Sequence, residues 1–129
     1  MKDTIERDAG QGNRKKDTPV MIITTCKDEQ EAERMARTLL DHRLIGCANL
    51  LPIRSLYRWE GKVEDEDEVM LILKSISAQY DRIAAAIKRL HSYTTPLIES
   101  VRIEEMDRTY RSWLESCLGA DDQGDQEEP

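Results

Sequence analysis

Three cysteines and two histidines carry most of the soft-ligand chemistry open to this 129-residue chain: Cys26, Cys47, Cys117, His42 and His91. Cys26 with His91 makes a sulfur–nitrogen pair suited to Cu(I) or Zn(II), ions that thiolate and imidazole bind well. Two ligands fall short of a closed site, so a third would come from Glu99 or from a neighbouring copy of the chain. The plainer role for His91 is a cap on the C-terminus of the helix before it, where a donor or cation is favoured. A second chemistry is open to Arg58, Trp59, Lys74 and Tyr93, which could wall a cleft between subunits and receive a small anionic metabolite. Equally, Tyr57, Trp59, Met70 and Ile72 are residue types that pack a subunit interface. The run Glu64-Asp65-Glu66-Asp67-Glu68 is either a loose attractor of divalent ions or a solvated hairpin end. Cys47 and Cys117 read as small core residues, and His42 as a partner for a helix dipole. No G-x-S-x-G, H-E-x-x-H or G-x-x-x-x-G-K-[ST] pattern occurs. With so little acid–base machinery, a catalytic role is not expected.

The elements that must position these residues follow from periodicity. Val20–Thr25 is a short strand rich in β-branched residues. Asp28 with Glu31 makes a capping box, opening a helix that stripes Ala32, Met35, Ala36, Leu39 and Leu40 and runs to about Arg43. A second strand starts at Cys47 and continues to Trp59, with a bend or a sheet edge expected at Pro52. Glu60-Gly61 is the expected hairpin turn, with Asp65-Glu66-Asp67 as its rival. The third strand extends to about Lys74. A second helix spans Ser77 to about His91, a fourth strand Pro96–Ile103, and Asp107 caps a third helix carrying Tyr110, Trp113, Leu114, Cys117 and Leu118 on one face.

The order βαββαβ plus a C-terminal helix predicts an α+β, ferredoxin-like domain with an antiparallel sheet. Right-handed crossovers put both main helices on one face of that sheet. The third strand nevertheless offers apolar side chains to both faces: Val69, Leu71 and Leu73 on one, Met70 and Ile72 on the other. A bare apolar face is costly in water, so self-association is expected unless the third helix covers it. An RNA-binding module shares this element order, but it needs exposed aromatics on a basic sheet face, and Val-Met-Leu-Ile-Leu is suited to burial instead.

Composition sets the outer bounds. The chain is 35% charged, lacks Phe and carries a net charge of −7. Residues 119–129 hold five acids and no base. Such a balance argues against a nucleic-acid partner. Residues 1–19 and 119–129 read as disordered extensions around a domain at 20–118. The absence of a signal segment or membrane span, with an odd cysteine count, gives the cytoplasm as the expected compartment.

Several segments together resemble the CutA divalent-cation-tolerance family. They are Thr24-Thr25 before the helix at Asp28, and Arg43-Leu44-Ile45-Gly46-Cys47-Ala48-Asn49-Leu50. The hairpin Ser55-Leu56-Tyr57-Arg58-Trp59-Glu60-Gly61-Lys62, with Glu68-Val69 and Leu71-Ile72-Leu73-Lys74, joins them. So do His91-Ser92-Tyr93…Pro96 and Tyr110…Trp113. The resemblance implies a ferredoxin-like protomer in a tight, PII-like homotrimer with clefts between subunits, and a link to divalent-metal tolerance. It also implies copper or another divalent metal as ligand. In some members copper is associated with a first-strand Cys, the His of an H-P-Y turn and a Glu after the following Pro. Here His91 keeps its place, Thr24 stands at the strand position, and Leu97 follows Pro96. Cys26 lies two residues beyond Thr24, on the same strand face if the strand continues that far. Ser92 replaces the turn's Pro, and Thr94 stands where an acid is common. The expected function is thus a non-catalytic, trimeric metal-response module. A sensor of an anionic metabolite and a structural scaffold are its alternatives.

Overall fold

The computed structural model describes residues 17–119. Most of the two expected extensions, residues 1–16 and 120–129, lies outside them. The elements run β1 (Pro19–Cys26), α1 (Glu29–Asp41), β2 (Cys47–Trp59), β3 (Lys62–Ile76), α2 (Tyr80–Leu90), β4 (Glu99–Arg102) and α3 (Arg108–Cys117). The sheet order is β2-β3-β1-β4 with every pairing antiparallel, the expected α+β arrangement.

Strand alternation divides β1 cleanly. Val20, Ile22, Thr24 and Cys26 are buried, and the residues between them are less so. The buried set meets Leu71 and Leu73 of β3, Met35 and Leu39 of α1, and Ile83 and Ile87 of α2 in one core. Asp28 caps α1 as its spacing predicts, accepting from the Glu31 N–H at 2.8 Å. The helix ends in a Schellman turn: the Arg43 N–H donates to the Leu40 carbonyl and the Leu44 N–H to the Leu39 carbonyl. Arg43 takes the left-handed position there, at φ 57°. Its guanidinium in turn donates to the carbonyls of Ser116 and Cys117, anchoring the end of α3.

Glu60 and Gly61, at φ 50° and 81°, form the hairpin turn. The rival at Asp65–Asp67 is instead strand, paired across to Leu56, Ser55 and Arg54. Pro52 sits within a continuous β2, which forms the sheet edge and so tolerates a missing donor. β1 pairs only with residues 69–76 of β3, so Lys62–Glu68 pairs with β2 alone and the hairpin projects beyond the sheet. On this arm Leu56 and Val63 are 63% and 64% exposed.

Two elements differ from expectation. The second helix begins as a 3₁₀ turn at Ser77–Gln79. β4 is half the predicted length, because Pro96 has no N–H to donate and the Thr25 carbonyl takes the His91 ring instead. The helix-free face is partly covered by α3, which settles over the Lys74 end. The Lys74 ammonium lies 6.0 Å from the Tyr110 ring centroid, and Leu114 is fully buried. Met70 and Ile72 are left half-buried further along. Cys47 and Cys117, expected in the core, are likewise only half-buried, since both lie at the margin where α3 meets the sheet.

Two substitutions test this packing. A Cβ at Gly46 would come 2.6 Å from Leu114 Cδ1 and 3.4 Å from Cys117 Cβ. Gly46→Ala should therefore destabilise by about 1–3 kcal/mol as an overpacked contact, read as a lower midpoint in urea. Thr24 Oγ1 is buried and has no hydrogen-bond partner among the described residues. Thr24→Val keeps the shape and removes the orphan hydroxyl, so it should raise stability by about 1 kcal/mol in the same assay.

Candidate functional site

The end of β1, the start of α1 and the end of α2 converge on Cys26, Glu31 and His91. One ligand atom from each lies within 4.8 Å of the other two. Cys26 faces the helices because β1 continues through it, opposite Val69. Glu31 shares the inner stripe of α1 with Met35 and Leu39, four and eight residues on. His91 closes α2, where its backbone N–H donates to the Ile87 carbonyl. Its ring does not serve the helix end, as the cap reading supposed. Nε2 donates to the Thr25 carbonyl at 2.8 Å, and Nδ1 accepts the Tyr93 N–H at 3.1 Å. A carbonyl can only accept and an amide N–H can only donate, so this is the Nε2–H tautomer. Glu31 Oε2 lies 3.8 Å from Nδ1.

Glu31 is the centre of this cluster. Oε1 accepts the Lys27 N–H at 2.9 Å, and Oε2 accepts the Ser92 N–H at 2.7 Å. Burial pushes the carboxyl upward, but the hydrogen bonds from Lys27 and Ser92 outweigh it, holding its pKa below the usual carboxylate range. The Cys26 thiol goes the other way. Burial first, then the charges of Glu31, Glu68 and Asp28, push it up to about 12.

A second feature lies across the end of β1 on the helix-free face. A groove of about 830 Å³ is lined by Tyr57, Trp59, Glu64, Glu66, Glu68 and Tyr93, among others. The Tyr93 hydroxyl donates to Glu68 Oε2 at 2.6 Å, and the Tyr57 hydroxyl to Glu66 Oε1 at 2.7 Å. The bond to Glu66 pushes Tyr57 up to about 12; burial, then the bond to Glu68, raises Tyr93 too.

The structure therefore brings together Cys26 with His91, and Trp59 with Tyr93. It leaves Arg58 and Lys74 out of the groove. Arg58 alternates away from Tyr57 and Trp59, and Lys74 lies twelve residues along β3 from Lys62, the partner of Trp59. That is roughly 40 Å, so Lys74 and Arg58 cannot share one site within a chain. Nor does Glu99 supply a third ligand: it is exposed at the sheet edge opposite Ile23, and Glu31 takes that place. The acidic run is not one cluster. Glu64, Glu66 and Glu68 face the groove, while Asp65 turns away to pair with Arg54 at 2.7 Å. His42 caps α1, its Nδ1 donating to the Thr38 carbonyl at 2.9 Å. Glu31 and Glu68 are the residues sequence reasoning undervalued. For Glu31 a signal existed, an acid on the apolar stripe of its own helix.

Comparison with known proteins identifies relatives of the chain. The family model described as CutA1 divalent ion tolerance protein matches residues 20–117. The chain belongs to the CutA1 family. It is 39% identical over 95 residues to the divalent-cation tolerance protein CutA of Pyrococcus horikoshii, covering 74% of this chain and 93% of that one. The Pectobacterium atrosepticum CutA is 38% identical over 100 residues, covering 77% and 91%. Among solved structures, one is described as the periplasmic divalent cation tolerance protein CutA from Archaeoglobus fulgidus. It superimposes with a TM-score of 0.77 at 35% identity, over 78% of this chain and 99% of that one. CutA1 from Oryza sativa gives 0.78 at 26% identity, over 81% and 97%. Among the described residues no helix is long and apolar enough to cross a membrane.

The role of Glu31 in this CutA1 chain is testable. Glu31→Gln keeps the shape but offers one acceptor oxygen to two backbone donors, so stability should fall by about 1–3 kcal/mol in urea unfolding. Because the folded carboxyl is the more acidic, its contribution is full above the unfolded value of about 4.3 and is lost as pH falls through the folded one. In Glu31→Gln that part of the acid-induced loss should disappear.

Proposed function

We propose that this CutA1 chain is a self-associating, non-catalytic module of divalent-metal response, in which Cys26, Glu31 and His91 take a soft or borderline ion such as copper or zinc. The observation that carries this reading is the convergence of one sulfur, one nitrogen and one carboxylate oxygen within 4.8 Å. The donor set suits those ions. The hydrogen bond from Nε2 to the Thr25 carbonyl supports it further, because a ligating imidazole usually has its other nitrogen held in this way. When bound, the metal would supply charge compensation to a buried acid and a reason for the thiol to ionise.

Trimeric assembly, which the family resemblance implies, is part of the proposal. Its support is the projecting hairpin arm, whose two strands bury little of their own surface and would be marginal alone. Tyr57, Trp59, Met70 and Ile72 are proposed to meet neighbouring copies. A cytoplasmic setting is proposed from the three cysteines, all of them free. The anionic-metabolite alternative is disfavoured within one chain, since three carboxylates line the groove. A scaffold acting through residues 119–129 would rest on the end of the chain outside the described residues.

Native mass spectrometry of the reduced full-length protein, with Cu(I), Cu(II) and Zn(II), tests both parts. A trimer gaining one metal per chain is expected, with the gain lost in His91→Ala. A trimer that stays metal-free defeats the metal reading, and a monomer defeats the assembly. Because the Cys26 thiol must lose its proton on binding, the Zn(II) Kd should fall about tenfold per pH unit between pH 7 and 9.

A further inference from the structure

His91 has one lone pair in its ring, and Tyr93 is using it. The Tyr93 N–H donates to Nδ1 while Nε2 donates to the Thr25 carbonyl. A metal that binds Nδ1 consumes the lone pair directly. A metal that binds Nε2 forces the ring proton onto Nδ1, which then has nothing to accept with. By either route the Tyr93 N–H loses its partner. Glu31 behaves differently, because its carboxylate has four lone-pair sites for three donors, the Lys27 N–H and the N–H and hydroxyl of Ser92, and so keeps one for a metal. The loss common to both routes therefore falls on one residue, Tyr93, while the Nε2 route frees the Thr25 carbonyl as well.

That residue also builds the groove. Its hydroxyl is held by Glu68 at 2.6 Å, its ring lies 4.7 Å from that of His91, and Thr94 and Thr95 continue the same wall. The Tyr93 N–H to Nδ1 bond is partly buried, and losing its acceptor is unfavourable, so the amide is expected to turn toward water or another carbonyl and to carry the exposed segment from Ser92 to Thr95 with it. A shift of that backbone pulls on the Tyr93 hydroxyl and on Glu68.

We propose that metal occupancy at Cys26–Glu31–His91 and the seating of Tyr93 against Glu68 exclude one another, so that the buried cluster controls the shape of the surface groove. This regulation rests on the metal-site reading above. It is reciprocal: whatever weakens the Tyr93 clasp must strengthen metal binding by the same factor. Tyr93→Phe removes the hydroxyl that bonds Glu68 and leaves the three ligands intact.

The test is Zn(II) binding by the reduced full-length protein, wild type and Tyr93→Phe. Affinity is measured by competition with a chromophoric chelator, and hydrogen exchange is followed by mass spectrometry on the peptide 91–97. Zn(II) should lower exchange protection in that peptide, and Tyr93→Phe should bind about tenfold tighter than wild type. Zn(II) bound through Cys26 and His91 with the peptide still protected, or with Tyr93→Phe no tighter, overturns the coupling and leaves the metal site standing. No Zn(II) binding by wild type removes the metal site and this proposal with it. Should Tyr93→Phe fail to fold, the wild-type exchange result decides alone.

Discussion

A carboxylate can remain ionised inside a protein only if enough donors surround it, and Glu31 meets this condition by drawing on two separate loops. The Lys27 N–H comes from the turn that leaves β1, and the Ser92 N–H from the turn that leaves α2, sixty-one residues beyond Glu31. One side chain thus fixes the exit of a strand relative to the exit of a helix. His91, the residue before Ser92, is held at the same end, its ring donating to the Thr25 carbonyl. Through His91 the constraint passes to Tyr93, and through Tyr93 to Glu68 and the groove. The whole β1-exit end of the domain depends on satisfying a single buried charge.

A different constraint governs the opposite side of the sheet. β3 is fifteen residues long and β1 eight, so almost half of β3 has no neighbour except β2. The twisted two-stranded arm that results carries Leu56, Tyr57, Trp59 and Val63 into solvent. Arg54 and Asp65 brace it with a bidentate pair, but exposed ion pairs stabilise little. Burial against another copy offers the arm far more, at about 25 cal/mol for each Å² of apolar surface removed from water. α3 cannot do this, because its contacts are at the other end of β3, near Gly46 and Lys74.

How much of this was legible in the sequence depended on range. Local signals were reliable: Asp28 and Asp107 accept from the third residue beyond them, and Glu60-Gly61 turns the hairpin. The patterns that fill one face of a helix or strand also held, because burial on one side is a property of the element itself. Pairings between distant elements were not legible. Glu31 was visible as half of a capping box, yet nothing near it in sequence shows that Ser92 is its second donor. Glu99 was offered as one source of a third ligand, but the register of β4 sets it opposite Ile23 on the exposed sheet edge, which only the pairing shows. Cys47 and Cys117 stand among apolar residues, but only the docking of α3 shows that the region is a margin and not a core.

The raised Cys26 pKa and the proposed affinity for a cation look opposed, since a metal needs the thiolate. Burial is the larger reason for the raised pKa, and the second reason is shared with the affinity. Glu31, Glu68 and Asp28 surround Cys26 with negative potential, and that potential resists a second negative charge while nothing positive is present. A divalent cation reverses the balance, because the same acids then attract the ion that lets the thiol ionise. Glu68 belongs to both sides of this arrangement: it acts on Cys26 through the field and on Tyr93 through a hydrogen bond. Bringing positive charge to the cluster therefore weakens the electrostatic environment that Glu68 offers to the Tyr93 hydroxyl, while ligation of His91 takes away the Tyr93 amide's acceptor. Charge and hydrogen bonding push the 91–95 segment in the same direction, so in the proposed coupling the buried cluster and the surface groove would act as one unit and not as two neighbouring sites.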